Sequence, residues 1–219
     1  IAPQKVIQQN GADILRLWVV SSDYYDDLRI GPEIIKRQTD HYRRIRNTLR
    51  YLLGAVNGFD KSTEAIQPEG MPELERWVLH RLAELDQQIR ENTRAYDFHG
   101  IFTLVHDFCN SDLSAFYFDV RKDCLYCDTH NSRDRRACRT VMDHALRCLM
   151  SWIAPILCFT ADEAWLAYSG DETDSIHLHT YIDVPEHWRD PVVADRWAKI
   201  RSLRSEVMVA LEASRNDGM

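Results

Sequence analysis

No apolar run in this sequence is long enough to cross a bilayer: the longest, Leu149–Phe159, is short and is broken by Ser151 and Pro155. No secretory leader opens it. The first residues, IAPQKVIQQN, lack both an initiator Met and a charged-then-apolar layout, so the chain is expected to begin inside a longer protein. A Gly-rich phosphate loop, a strand-turn-helix nucleophile and a His pair at metalloenzyme spacing with a following carboxylate are all missing. No residue is therefore assigned to catalysis. Positive charge is in deficit, 27 Lys and Arg against 34 Asp and Glu, and a net charge of -7 excludes a protein that coats nucleic acid indiscriminately. No repeat of fixed period is present. Of the six cysteines, Cys109, Cys138, Cys148 and Cys158 fall in apolar periodic segments where they read as small buried hydrophobes, which points to a reducing, cytoplasmic setting.

What is present is helical period over most of 219 residues, of which 45% are apolar, enough for a substantial core. The organising stretch is Pro32–Asp60. Ile34, Ile35, Tyr42, Ile45, Leu49, Leu52, Leu53 and Val56 form one apolar stripe of a long helix, with Pro32 suited to its first turn and Gly54 and Gly58 weakening its far end. Before it, Asn10 or Asp13 caps a helix through Leu15, Trp18 and Val19, followed by a polar turn and an extended piece around Leu28–Ile30. After it comes a flexible loop, 57–72, then helices over Glu73 to about Ala95, Ile101 to about Arg121 and Arg133–Ile153, the last closed by Pro155. The Ile101–Arg121 helix reads as the most buried. Thr160 with Glu163 reads as a capping box for TADEAWLAY, Ile176–Tyr181 as a short strand or extended arm, and 192–213 as a last helix. The expected fold is all-α, an up-and-down helical bundle at 32–170, with a small connecting module at 1–31 and an acidic extended segment plus C-terminal helix at 171–219.

Charge is segregated along this frame. Between Glu33 and Arg50, Lys36, Arg37, Arg43, Arg44, Arg46 and Arg50 face only two acids, while nine acids face Arg189 alone between 160 and 195. On a helical wheel Lys36, Arg43, Arg46, Asn47 and Arg50 share a face beside the apolar stripe, and no acid is expected on it. Arginine forks suit phosphate oxygens, and an Asn among them can bond a base edge or a sugar. A second cluster is Arg121 and Lys122 with Arg133, Arg135, Arg136 and Arg139, the last four at a helix start where the dipole does not favour cations. Tyr126, Trp188 and Tyr181 are candidate platforms for unpaired bases, unranked by sequence. Cys124 and Cys127 with His130 are spaced like half a zinc ribbon, but two cysteines do not supply its usual four ligands, and His177 and His179 lack a third; no metal site is assigned.

The segments NGADILRLWVVSSDYYDDLRIGPEI, YRRIRNTLRYLL with the following GFD, YDFHGIFTLVHDFCNSDLSAFYFDVRKDCLYCD and APILCFTADEAW resemble, in this order, the C-terminal portion of bacterial isoleucyl-tRNA synthetases. The run Asp112–Asp123 with Leu125–Asp128 is similar to isoleucyl rather than valyl, leucyl or methionyl enzymes. The resemblance implies that residues 1–31 follow the ATP-binding signature loop of a catalytic domain and lead into a bundle that grips the anticodon stem and loop. It makes Arg43, Arg44, Arg46 and Asn47, and Arg121 and Lys122, RNA-facing positions; Arg50 joins them from the helical wheel. It also implies ATP with magnesium for the whole enzyme but no cofactor here, and zinc in a C-terminal extension that many relatives carry. Cys124 stands where relatives commonly have Arg or another polar residue. The expected partner is isoleucine tRNA, bound by a monomer, with no DNA or membrane partner. The rival readings are the bundle of another class I synthetase, a helical protein-interaction module and, third, a redox or zinc sensor using Cys124 and Cys127.

Overall fold

The computed structural model describes residues 2–22 and 29–216. In chain order the helices are α1 (Pro3–Asn10), α2 (Ala12–Ser21), α3 (Pro32–Val56), α4 (Lys61–Glu64), α5 (Glu73–Arg94), α6 (Phe98–Asp107), a π-helical stretch (Phe108–Tyr117), α7 (Phe118–Cys127), α8 (Arg133–Ile153), α9 (Cys158–Ser169) and α10 (Pro191–Asn216). No strand occurs among the described residues, and no helix there is long and apolar enough to cross a membrane.

Side-chain pairings fix the topology. Arg44, Thr48 and Tyr51 of α3 meet Asn110, Ser114 and Phe118 in that order, so α3 and the α6–π–α7 rod run parallel. Glu75 meets Tyr117 and Arg121 while Arg81 meets Asp112, so α5 runs against that rod. Arg139, near the start of α8, reaches the carbonyl of Ala55 at the end of α3, so α8 descends beside α3. This is the up-and-down bundle the periodicity implied. One contiguous core is built from α3 and α5 to α9 with the π-helical stretch, and takes in Leu17 of α2 and Val193 of α10; a satellite of Val6, Ile14 and Ile35, with Trp18 and Tyr42, seats the α1–α2 hairpin on α3. The α1–α2 hairpin falls within the stretch expected to be a small connecting module; α1 itself was not foreseen.

The most buried helix is α8, with fifteen of its residues buried, rather than the Ile101–Arg121 segment. Within that segment, i→i+5 bonding over Phe108–Tyr117 loosens the turn, so the pairs Phe108/Cys109, Asp112/Leu113 and Phe116/Tyr117 return to the core every four residues. The 57–72 loop is partly ordered by α4 and a 3-10 turn at Pro68–Gly70. Where a short strand or extended arm was expected, Ile176–Leu178 form a 3-10 turn and the chain is irregular from His179 to Tyr181, with His177 Nε2 on the Cys158 carbonyl and His179 Nε2 on Asp174. Of the extended piece expected around Leu28–Ile30, Leu28 lies outside the described residues, and Arg29 and Ile30 belong to no regular element.

Thr160 and Glu163 do not form a capping box, because helix α9 starts at Cys158 and Thr160 already lies inside its first turn. Its exposed N–H groups are satisfied from α2 instead. Asp13 accepts from the Thr160 N–H at 2.8 Å, the Thr160 hydroxyl at 2.7 Å and the Phe159 N–H at 3.4 Å. One turn on, Arg16 donates to the carbonyls of Ile156 at 2.8 Å and Pro155 at 2.7 Å. The Asp13/Arg16 spacing thus clamps the α8–α9 corner, a carboxylate at a helix start and a guanidinium on free carbonyls. Asp13→Ala is expected to cost about 1–2 kcal/mol, as lost helix caps do; a urea titration matching the parent would show the clamp to be idle.

Candidate nucleic-acid interface

The outward strip of α3 carries Lys36, Asp40, Arg43, Asn47, Arg50 and Gly54, all exposed. Asp40 therefore stands among the cations, contrary to the acid-free face expected, and pairs with Arg43 at 3.5 Å across two exposed side chains, a weak contact. Lys36 and Arg50 have no carboxylate partner among the described residues. The strip is flanked on both sides. Toward α9, Arg46 makes a forked pair with Glu163 at 2.7 and 2.9 Å and holds that carboxyl below its usual range. Toward the π stretch, Arg44 donates to Asn110 at 2.6 Å. Beneath, His41 packs against His106 at 4.8 Å between ring centres, and burial, then His106, Arg37 and Arg44, lower its pKa. At the start of the strip an open groove of about 910 Å³ separates α1 from α3, lined in part by Lys5, Asn10, Lys36 and Arg43. A smaller one of about 170 Å³ lies between Arg46, Arg50 and α9.

The other cations have different work. Arg121, placed with the RNA-facing residues by resemblance, turns inward: its guanidinium is 17% exposed and forks onto the fully buried Glu75 at 2.6 and 2.5 Å. Burial pushes the Glu75 carboxyl up, while Arg121 and the Tyr117 hydroxyl pull it back. Lys122 is exposed on α7, paired with Asp119, which also meets Arg204 of α10; it is not on the α3 strip. The four arginines opening α8 are explained by the carbonyls they face. Arg133 donates to Gly70, Arg135 to Leu125, Arg136 to Thr63 and Glu64, and Arg139 to Ala55 and Asn57. Three of them therefore cover the C-terminal ends of α7, α4 and α3, where helix dipoles favour a cation.

Exposure ranks the three aromatics. Tyr181 packs on the core with its ring beneath Arg90, and Trp188 packs on His144, whereas Tyr126 is 70% exposed at the end of α7. Cys124 packs on the core, its thiol pushed up to about 11 by burial and by Asp128; Cys127 is exposed, and His130 Nδ1 accepts from Arg135. No group of three His, Cys, Asp or Glu side chains is placed to hold a metal ion among the described residues. Sequence reasoning missed Lys5 and Glu163, whose positions depend on which helices become neighbours.

Residues 75–218 match the family described as the anticodon-binding domain of tRNA ligase. The isoleucine–tRNA ligase of Gluconobacter oxydans (strain 621H) is 48% identical over 218 residues, covering 100% of this chain and 22% of that protein. That of Ruegeria pomeroyi (strain ATCC 700808 / DSM 15171 / DSS-3) is 49% identical over 217 residues, covering 99% of this chain and 22% of that protein. The chain thus spans about 22% of the length of these relatives. Among solved structures, the LeuRS of Agrobacterium radiobacter K84, in a ternary complex with tRNA and LeuAMS, superposes with a TM-score of 0.64 at 16% identity, over 87% of this chain and 22% of that one. At that identity the likeness speaks for the shared helical fold.

Proposed function

The chain belongs to the family of anticodon-binding domains of tRNA ligases, and on that premise we propose that it grips the anticodon arm of an isoleucine tRNA as part of a longer isoleucine–tRNA ligase. The observation that carries the reading is the outward strip of α3, where Lys36, Arg43 and Arg50 stand exposed around Asn47 on a chain that is acidic overall. Lys36, Arg43 and Arg50 position the arm through its phosphates by releasing counterions, and Asn47 meets a base edge or ribose. Arg44 and Arg46 flank the path, each held in one orientation by Asn110 or Glu163, and Lys122 lies on a separate face as an auxiliary contact. Arg121 is omitted because its guanidinium is taken up inside the bundle. Isoleucine specificity is supported by identities of 43–49% to isoleucine–tRNA ligases.

In this reading the attachment of isoleucine, with ATP and magnesium, takes place on other parts of the longer ligase, as would any zinc in an extension. The chain works as a cytoplasmic monomer that holds the tRNA in register. The test is a salt series against an isoleucine tRNA transcript and one with an altered anticodon. Lys36→Gln, Arg43→Gln and Arg50→Gln together are expected to weaken binding and flatten the slope of log affinity on log salt by about 2–3, at roughly 0.7–0.9 for each phosphate that the chain ceases to neutralise. Parental affinity and slope in the triple variant would sink the strip.

A further inference from the structure

Where α3 and α9 both end, Lys61 of α4 reaches across to a buried carboxylate of α8. Its Nζ lies 3.3 Å from Asp143, whose side chain is 4% exposed against 45% for Lys61. Tyr168 of α9 completes the group: its hydroxyl donates to the other Asp143 oxygen at 2.7 Å and accepts from the Lys61 ammonium, and Nζ stands 4.8 Å from the centre of its ring. Burial, with Asp143, pushes the phenol up, so Tyr168 keeps its proton.

Other ties already hold this segment to α8. Arg136 donates to the Thr63 and Glu64 carbonyls, Arg139 pairs with Glu64 at 3.1 Å, and the Ile66 N–H reaches the Thr140 hydroxyl at 3.2 Å. What Lys61 adds is an amine at the edge of an open cleft of about 610 Å³, lined in part by Asn57, Asp60, Ser62 and Tyr168. Burial lowers its pKa, Asp143 opposes that, and Arg147 supports it. A lysine is a nucleophile only when neutral, and here a carboxylate stands beside the proton that it must lose. Arg147, half-buried and four residues after Asp143 on α8, lies on the same face of that helix.

We propose that Lys61 is a site of acylation by small acyl phosphates, with Asp143 as the base and Arg147 as the group that meets the phosphate. The ammonium gives one proton to Asp143, and the freed Nζ lone pair attacks the acyl carbon. As the carbon–nitrogen bond forms, the carbon–oxygen bond to phosphate breaks; phosphate leaves with the electron pair and takes the second proton, and Asp143 returns the first to solvent. The product amide is uncharged. The Asp143 carboxylate then keeps the Tyr168 hydroxyl but loses its cation, and α4 is released at its first residue while the ties at Thr63, Glu64 and Ile66 remain. Nothing in this site depends on the tRNA-arm reading.

The lysines of this chain are Lys5, Lys36, Lys61, Lys122 and Lys199, so the test is a direct competition among them. The chain is incubated with acetyl phosphate at neutral pH, and each lysine is followed by peptide mass spectrometry. Lys61 is expected to be acetylated about 10- to 100-fold faster than the other four, at or below the low end of what a positioned base contributes. Asp143→Asn keeps the size of the side chain and brings Lys61 down to their rate, with acetyl phosphate and with an uncharged acetyl ester alike. Arg147→Gln slows only the reaction with acetyl phosphate. After acetylation, amide hydrogen exchange quickens over residues 60–62. A parental Lys61 no faster than the other lysines overturns the site, and this arm needs no variant to fold. Parental rates in Asp143→Asn overturn the assigned base, and equal slowing of both donors in Arg147→Gln overturns the phosphate contact.

Discussion

Arg121→Met is expected to lower the unfolding free energy by about 3–5 kcal/mol, the range for removing one partner of a buried ion pair. The guanidinium forks onto Glu75, which is fully buried and otherwise accepts only from the Tyr117 hydroxyl at 3.1 Å among the side chains described. Its removal leaves a carboxylate with one neutral donor and no route to water. The loss should be largely recovered when Glu75→Leu is added, because two apolar side chains need no compensation where one stranded charge does. Lys122→Met is the internal control. Its pair with Asp119 is exposed at both ends, and such pairs contribute about 0–1 kcal/mol. Urea unfolding of the four proteins checks this. Parental stability for Arg121→Met together with weakened tRNA binding would return Arg121 to the RNA face that the resemblance assigned it.

Arg121 marks where reading the sequence reaches its limit. Helical period reports which face of a segment is apolar, and it located α3, α5 and α8 well: Pro32 after Gly31, Glu73 after Pro72, and Arg133–Ile153 all stand where the pattern placed them. The same period cannot report what a cation on the other face will meet. Arg43 and Arg121 look alike in sequence, yet one remains in solvent and the other closes a buried pair 46 positions away in the chain. Arg133, Arg135, Arg136 and Arg139 look like a basic patch, and become covers for carbonyls of segments arriving from elsewhere. Asp13 is the acidic counterpart, read as a cap for its own helix and found capping another, 147 positions on.

Two local errors have local causes. PQKVIQQN has too few apolar residues to show a period, and α1 is held by Val6 alone among its buried residues. Over Phe108–Tyr117 the buried residues come in pairs four apart, which a 3.6-residue reading averages into an ordinary helix; that averaging hid the burial of Asp112, whose carboxylate meets Arg81 and Arg201. The α3 strip was legible because it depends on one helix alone, whereas its flanking partners Asn110 and Glu163 were not.

Trp152→Ala is expected to cost about 3–5 kcal/mol, the range for truncating a buried Trp or Phe. Trp152 has no exposed surface, and its indole N–H donates at 3.1 Å to Asp86 of α5. The other oxygen of Asp86 accepts from Arg90 at 2.7 Å, and Arg90 in turn donates to the Ile182 carbonyl at 2.6 Å. Ser151, next to Trp152, accepts from the Ile182 N–H at 3.3 Å, so both backbone groups of Ile182 are tied to this part of the core. Trp152→Phe separates the contributions: it fills most of the cavity but leaves Asp86 short of a donor, and should cost about 1–3 kcal/mol. If α8 is the central helix, Trp152→Ala falls well below Trp152→Phe in stability, and a parental melting curve for Trp152→Ala would remove α8 from that position. Because Trp152 offers no surface to a ligand, the fraction of either variant that remains folded should bind tRNA with the parental salt slope. A changed slope would mean that the cationic strip of α3 takes its shape from this part of the core, through the packing of α3 on α8.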